Sequence, residues 1–175
     1  MKKSFLFLTL FAAFAMIFAS CSKKDSSSSN NGGDPTPTPP SGNYGTVTLG
    51  DQSFAIVAGG YTIEHDDEND FDFVGIALVD RVDSSENMQS AVIALPYYTT
   101  VPSGQFQATL EEHPEQGQCQ IVIIINQNLY FATQGSSTIN KNGETYTIDA
   151  SGSSMSIAGT TANFTVHFAG PLVTD

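Results

Sequence analysis

Residues 120–125 read QIVIII, a run of five β-branched side chains behind a single glutamine. A continuous apolar run of this length is typical of a strand with both faces covered. At the edge of a sheet the same run would invite pairing with another chain, so it predicts a central strand. Residues 126–128 read NQN and predict a turn into a partner strand over 129–133. Cys119, just before the run, is predicted to be an ordinary strand residue.

The rest of the chain from residue 44 onward follows the same pattern. β-branched and aromatic residues alternate with polar ones, and turn residues such as Gly, Asn and Asp separate these stretches. No helical period is evident. Asn142-Gly143 is the best short-range hairpin marker, and Gly75 is expected to form a bulge because the apolar phase changes there. Ten to twelve short strands are predicted, including 46–49, 53–57, 61–65, 71–79, 91–95, 104–110, 144–149 and 163–169. We therefore predict one all-β domain over residues 44–175, an antiparallel β-sandwich, with a closed or partly open β-barrel as the alternative.

The charge of this domain limits its partners. From Tyr44 onward the sequence has 16 acidic residues against only two basic ones, Arg81 and Lys141, a formal charge of −14. Nucleic-acid binding needs clustered Lys and Arg to displace counterions, so nucleic acid is excluded as a partner. The same charge disfavours docking of the folded domain on an anionic membrane surface.

The first twenty residues have the pattern of an export signal. Lys2 and Lys3 precede an apolar stretch over residues 5–19, and the small residues Ala19 and Ser20 close it. A stretch of this length is short for a hydrocarbon core of about 30 Å, which favours a cleaved signal peptide over a membrane span. Residues 1–20 are therefore predicted to be absent from the mature protein.

Cys21 directly follows the small residues, and residues 18–21 (FASC) resemble the lipobox of bacterial lipoproteins. This resemblance implies that Cys21 is acylated, with palmitate as a typical chain, and becomes the first residue of the mature protein. Residues 21–43 contain no bulky apolar side chain beyond the cysteine and are predicted to be a Ser/Asn/Pro-rich tether. The membrane is then a partner through the lipid anchor, and with Cys21 acylated no intrachain disulfide is possible.

The order of several segments resembles the small β-rich lipoproteins of the Bacteroidetes, a largely uncharacterised family found on the outer membrane or cell surface. The segments are GTVTLGDQSFAIVAGGYTI (45–63), AVIALP (91–96), VPSGQFQATL (101–110), INKNGETYTIDASG (139–152) and NFTVHFAGPL (163–172). The resemblance implies an all-β domain anchored in the outer membrane. It supplies no catalytic residues, and it leaves open whether the domain faces the periplasm or the cell surface.

An acidic segment over residues 64–72 is the densest group of candidate ligands. Asp66, Glu68, Asp70 and Asp72 alternate in sequence and offer oxygen atoms of the kind Ca²⁺ prefers. Position 71 is Phe where the loop of an EF-hand needs Gly, so that motif is absent. A metal site that uses Ca²⁺ and a solvated acidic turn without metal are both compatible with the pattern.

A second candidate site is Tyr97-Tyr98, which lies between Pro96 and Pro102. Exposed aromatic rings stack on sugars, so the pair predicts a glycan-binding platform, whereas tyrosines that cap the core are the structural alternative. The sequence contains no nucleophile elbow, phosphate loop, CxxC motif or metal-ligand histidine spacing. We expect a non-enzymatic, lipid-anchored envelope protein with a binding or structural role. A carbohydrate-associated accessory lipoprotein and a Ca²⁺-stabilised adhesion or assembly module are the alternatives, and the partner is a glycan or another protein.

Overall fold

The computed structural model describes residues 42–66, 71–82, 87–111 and 114–174. The predicted signal peptide, Cys21 and almost all of the tether lie outside these ranges. Within them the protein is all-β, as predicted. The described strands are β1 (Gly45–Leu49), β2 (Gln52–Ile56), β3 (Ala58–Asp66), β4 (Phe71–Val79), β5 (Ser90–Pro96), β6 (Gly104–Ala108), β7 (Gln118–Ile125), β8 (Asn128–Asn142), β9 (Thr145–Ser156), β10 (Thr161–Pro171) and β11 (Val173–Thr174).

All eleven described strands belong to one sheet, in the order β11-β3-β4-β5-β7-β6-β8-β9-β10-β1-β2. Neighbours are antiparallel except for β6–β7 and β11–β3, which are parallel. β7 pairs with β8 at one end and with β6 at the other, so the short β6 fills a wedge between the two longer strands. The sheet curls into a half-barrel, and the predicted sandwich is not confirmed.

The curl follows from a one-residue joint between two distant places in the sheet. β2 is the last strand of the order and β3 the second, yet Val57 alone separates them in the chain. Two peptide units span at most about 7 Å. Laid flat, eight or nine strand spacings would put β2 and β3 roughly 40 Å apart. The sheet must therefore roll until β2 and β3 meet.

Rolling turns one face of every long strand toward a common interior. The inner cluster of buried side chains has members from β1, β2 and β4 to β10, among them Ile76, Ile93, Ile121 and Phe168, each at most 2% exposed, and the partly buried Tyr61 of β3 packs against it. β7 lies inside the sheet and is buried on both faces along most of its length. The prediction of a central strand at residues 120–125 is thus confirmed, as is the strand position of the fully buried Cys119.

The β8–β9 hairpin forms where Asn142-Gly143 predicts one, but one residue later. Asn142 pairs with Thr145, so the two loop residues are Gly143 and Glu144. Gly143 has φ 62°, and no positive φ occurs at Glu144. Glycine at the first loop position of a two-residue hairpin is the signature of a type II′ turn, whose twist suits the flanking strands.

The bulge expected at Gly75 is wrong. Gly75 pairs in regular register with Thr62 on β3 and with Ala94 on β5. The apolar phase changes in β4 because the strand is buried on both faces from Val74 to Val79, so apolar residues occupy successive positions. The irregular register falls instead between Ala132 and Gln134 on β8, where β8 crosses from β7 to β6.

Two glycines just after this irregularity allow β8 and β9 to approach closely. Gly135 pairs with Gly152, and Gly135 has φ 134°. A Cβ atom added at Gly135 would lie 2.1 Å from the carbonyl oxygen of Ser151, and one added at Gly152 would lie 1.9 Å from that of Gln134. Because both obstacles are backbone atoms of the paired strand, neither side chain can be accommodated without parting the strands.

Alanine at either glycine of this pair should destabilise the fold by about 3 kcal/mol, the upper part of the range for overpacking. Gly143→Ala is the matched control, because a Cβ there meets nothing within 4 Å. It should cost only the conformational penalty of an alanine at positive φ, about 1–2 kcal/mol. Urea unfolding followed by circular dichroism measures all three. Equal losses at Gly135, Gly152 and Gly143 would show that the strand contact is not what requires glycine.

Candidate functional site

Tyr97 lies in the turn after β5 and has an unusual backbone conformation. Its φ is 66°, in the left-handed region that a bulky residue rarely adopts. The Tyr97 N–H donates to the carbonyl oxygen of Asp72 at 2.7 Å, which extends the pairing of β4 and β5 by one bond. A left-handed conformation at a residue with a side chain costs about 1–2 kcal/mol. Such strain is typical of positions that must aim a side chain in a fixed direction.

The Tyr97 ring rests on Phe71. The two ring centroids are 5.0 Å apart with planes tilted by 40°, and Phe71 in turn lies 6.5 Å from Phe73. We call Phe71, Phe73 and Tyr97 the aromatic ledge. Tyr97 is 48% exposed and Phe71 only 9%, so Phe71 supports the tyrosine while part of the Tyr97 ring remains open to solvent. The ledge is therefore a fixed aromatic surface.

Tyr98 points the other way. Its ring meets Phe106 edge-on, with centroids 5.8 Å apart and planes at 87°, and it packs against the inner core. The two tyrosines proposed from the sequence as one platform therefore lie in different surroundings. Phe71 and Phe73 were missed by sequence reasoning. Their spacing of two residues on a strand indicates a shared face, but their proximity to Tyr97 depends on the pairing of β4 with β5.

A carboxyl group adjoins the ledge. Glu64 on β3 pairs directly with Phe73 on β4, so the two side chains are on the same face of the sheet. Partial burial raises the pKa of the Glu64 carboxyl, and the Thr62 hydroxyl, which donates to Glu64 Oε1 at 3.4 Å, lowers it by a smaller amount. The ledge thus has a partly desolvated carboxylate beside it that can accept hydrogen bonds from a ligand.

The proposed metal ligands are only partly described. Glu68 and Asp70 lie outside the described residues, as does the side chain of Asp66. Asp72 Oδ1 is 2.9 Å from His65 Nδ1, on the opposite face of the sheet from Glu64. Among the described residues no group of three or more His, Cys, Asp or Glu side chains is arranged to hold a metal ion.

Cys119 and His167, two other residues with reactive side chains, have structural contacts and form no site. Burial raises the pKa of the Cys119 thiol to about 12, which keeps it protonated and unreactive at neutral pH. Its Sγ lies 3.9 Å from the carbonyl oxygen of Phe106. His167 faces outward, as its place on β10 predicts, with Nδ1 2.6 Å from Asp149 Oδ1. The His167 and Asp149 side chains are both more than half exposed, so their contact contributes little to stability.

Comparisons with known protein families, with curated proteins and with solved structures found no match to this chain. Within the ranges that the structure describes, no helix is long and apolar enough to cross a membrane.

The raised pKa of Glu64 predicts a pH-dependent difference between the wild type and Glu64→Gln. The folded state holds the Glu64 proton more tightly than the unfolded chain does, so the wild type is favoured at low pH. Its stability relative to Glu64→Gln should fall as pH rises from the ordinary Glu value of 4.5 through the raised one. Urea unfolding at pH 4 to 7 measures this difference.

Glu144→Gln, in the exposed β8–β9 turn, is the control for removing one negative charge from an acidic protein. If the stability of the wild type relative to Glu64→Gln rose with pH, that result would contradict the desolvation of Glu64.

Proposed function

We propose that this chain is a lipid-anchored protein of the bacterial cell envelope, held in the outer membrane by acylated Cys21. The support is the order of its N-terminal segments: an export signal over residues 1–20, the lipobox-like residues 18–21, and a polar tether up to residue 43. Two or more acyl chains on one cysteine provide stable anchoring, since each buried CH₂ contributes about 0.8 kcal/mol. The strongly acidic domain then stays off the anionic bilayer surface.

The folded domain acts, in this proposal, as a non-enzymatic binding module, and its ligand is a carbohydrate. The observation that carries this is the placement of Tyr97, a strained and exposed tyrosine supported by Phe71. An aromatic ring offers a flat apolar face to the C–H face of a sugar, and a tyrosine held in one orientation loses little entropy on binding. Strand spacing puts Glu64 about 10 Å from the Tyr97 backbone, two strands away, within reach of a saccharide stacked on the ledge.

Carboxylates suit this ligand class because they accept hydrogen bonds from sugar hydroxyls. Glu64 borders the ledge on the same face, and its partial desolvation strengthens any hydrogen bond it accepts. A Ca²⁺-stabilised module has less support, because the described Asp72 already pairs with His65. A purely structural role gives no reason for an exposed aromatic residue in a strained conformation.

Metabolic labelling with palmitate tests the anchor. Label should enter the wild-type protein and be lost entirely in Cys21→Ala, because Cys119 is buried and its pKa of about 12 keeps the thiol from acylation. The labelled protein should fractionate with outer membranes. Label that persists in Cys21→Ala, or mature wild-type protein released unmodified into the medium, would refute the anchor.

Glycan binding is best tested with Tyr97→Gly. Glycine adopts φ 66° without strain, so this variant removes the ring while sparing the fold. On a glycan array followed by calorimetry, the loss of the ring should weaken binding by about tenfold, or ~1.4 kcal/mol. Tyr97→Phe retains the stacking surface and should retain most of the affinity.

Tyr98→Phe is the matched control on the inward-facing neighbour, and it should bind as the wild type does. An array without any bound glycan, or equal affinity for wild type and Tyr97→Gly, would reject the carbohydrate proposal. Neither result would affect the anchor.

A further inference from the structure

The inner wall of the half-barrel carries a buried hydroxyl group that the protein itself leaves unbonded. Ser137 on β8 is 0% exposed, and its Oγ has no hydrogen-bond partner among the residues that the structure describes. A hydroxyl that is buried without a partner loses its bonds to water and gains none in return, so such groups are nearly always satisfied. The Ser137 hydroxyl therefore calls for a partner from outside the chain.

Two other buried serines show the usual outcome. Ser154 Oγ donates to the carbonyl oxygen of Ala162 at 3.0 Å, and Ser156 Oγ accepts from the Thr160 N–H at 3.0 Å. Ser154 is only 1% exposed and lies on β9, the strand next to β8. It is thus a matched reference for Ser137, with the same side chain and equal burial but with its hydroxyl satisfied by the protein.

Ser137 lies among small side chains on the inner face of the sheet. It pairs with Ala150 on β9, and Gly135, two residues earlier on β8, pairs with Gly152. Because residues two apart on a strand share a face, these four residues adjoin one another on the inner wall. We call them the small-residue block. None of its members has a large side chain that could cover the Ser137 hydroxyl.

Large buried side chains enclose the small-residue block. Phe106 on β6 and Phe164 on β10 flank it, and the paired Ile139 and Ile148 close one end. Each of these four side chains is at most 3% exposed. A partner for the Ser137 hydroxyl must therefore be small and fully enclosed, and a water molecule, with about 30 Å³ in the liquid, is the smallest polar candidate.

The Phe106 carbonyl group points toward Ser137. The Gln107 N–H donates to the Gly117 carbonyl oxygen, on the β7 side of β6, at 2.9 Å. Backbone groups of successive strand residues point to opposite sides, so those of Phe106 point to β8, where its pairing partner is Ser137. The Cα atoms of such a hydrogen-bonded pair are about 5.5 Å apart. The carbonyl oxygen has two lone pairs, of which the Ser137 N–H takes one.

Cys119 on β7 supplies a third polar atom. Its Sγ lies 3.9 Å from the Phe106 carbonyl oxygen, and its side chain belongs to the same inner cluster as Phe106. A thiol is a weak donor and a weak acceptor, so this long contact leaves the carbonyl oxygen available to a stronger donor. A hydroxyl, a carbonyl and a thiol from three neighbouring strands are thus grouped on the inner side of β6.

We infer that an internal water molecule lies at this place and links Ser137 Oγ to the Phe106 carbonyl oxygen. The water accepts from the Ser137 hydroxyl and donates to the carbonyl oxygen, and its second hydrogen is directed toward Cys119 Sγ. Buried waters typically make about three hydrogen bonds, chiefly to polar groups that the protein leaves unsatisfied. The three polar atoms supply this number.

The water strengthens a weakly paired part of the sheet. β6 pairs with β8 at four positions and with β7 at only two. Phe106, the middle residue of β6, also holds Tyr98 through their edge-on ring contact. A water-mediated bond between Ser137 and Phe106 therefore steadies the short strand on which the loop after β5 rests.

A high-resolution crystal structure tests the inference directly. The crystal is grown from the predicted mature chain, residues 21–175, with Cys21→Ser to prevent acylation. A water peak should lie within about 3 Å of both Ser137 Oγ and the Phe106 carbonyl oxygen. A site without a water peak, or a Ser137 hydroxyl bonded to another protein atom, would overturn the inference.

The stability of Ser137→Ala tests it independently, because the sign of the change differs between a bonded and an unbonded hydroxyl. Loss of a bonded hydroxyl destabilises the fold, whereas loss of an unsatisfied one stabilises it. In urea unfolding of the same chain, Ser137→Ala should raise the unfolding equilibrium constant about fivefold, or ~1 kcal/mol.

Ser154→Ala is the matched control and should show a loss of similar size, because it removes a hydroxyl that bonds to Ala162. If Ser137→Ala were as stable as the unsubstituted chain or more stable, while Ser154→Ala was destabilised, the water would be rejected. The aromatic ledge is unchanged in both variants, so the result does not depend on carbohydrate binding.

Discussion

The continuity of β2 and β3 through Val57 is the constraint on which the rest of this structure depends. It forces two distant parts of the strand order into contact, so the sheet must curl and every long strand must present one face to a shared interior. Close approaches then become necessary. At Gly59 an added Cβ would lie 2.7 Å from the Leu172 side chain and 2.9 Å from the Phe168 ring, so any larger residue would force these side chains to move.

Curling also divides the outer surface into two halves with different roles. The half formed by β9, β10 and β1 is polar, with hydroxyl pairs such as Thr48–Thr165 at 2.7 Å. The half formed by β3, β4, β5 and β7 is apolar, and Phe73 lies at its border with the aromatic ledge. The apolar half thus borders the proposed carbohydrate site.

The ledge shows how local strain and long-range pairing combine at one site. The Asp72–Tyr97 backbone bond and the Phe71 ring hold Tyr97 in a conformation that it would not keep in isolation. Glu64 is desolvated because the pairing of β3 with β4 puts it opposite a phenylalanine. Both features depend on contacts with paired strands of the sheet, which favours a preorganised binding surface.

The sequence alone determined the properties that arise from near neighbours in the chain. Alternation of side chains predicts the all-β class, the apolar run at 120–125 predicts a central strand, and Asn142-Gly143 predicts a hairpin to within one residue, because each depends on local geometry. Tertiary structure decided what depends on pairing between distant strands, such as β1 with β10. The opposite directions of Tyr97 and Tyr98, the support from Phe71 and the regular pairing at Gly75 all follow from neighbours that only the folded sheet brings together.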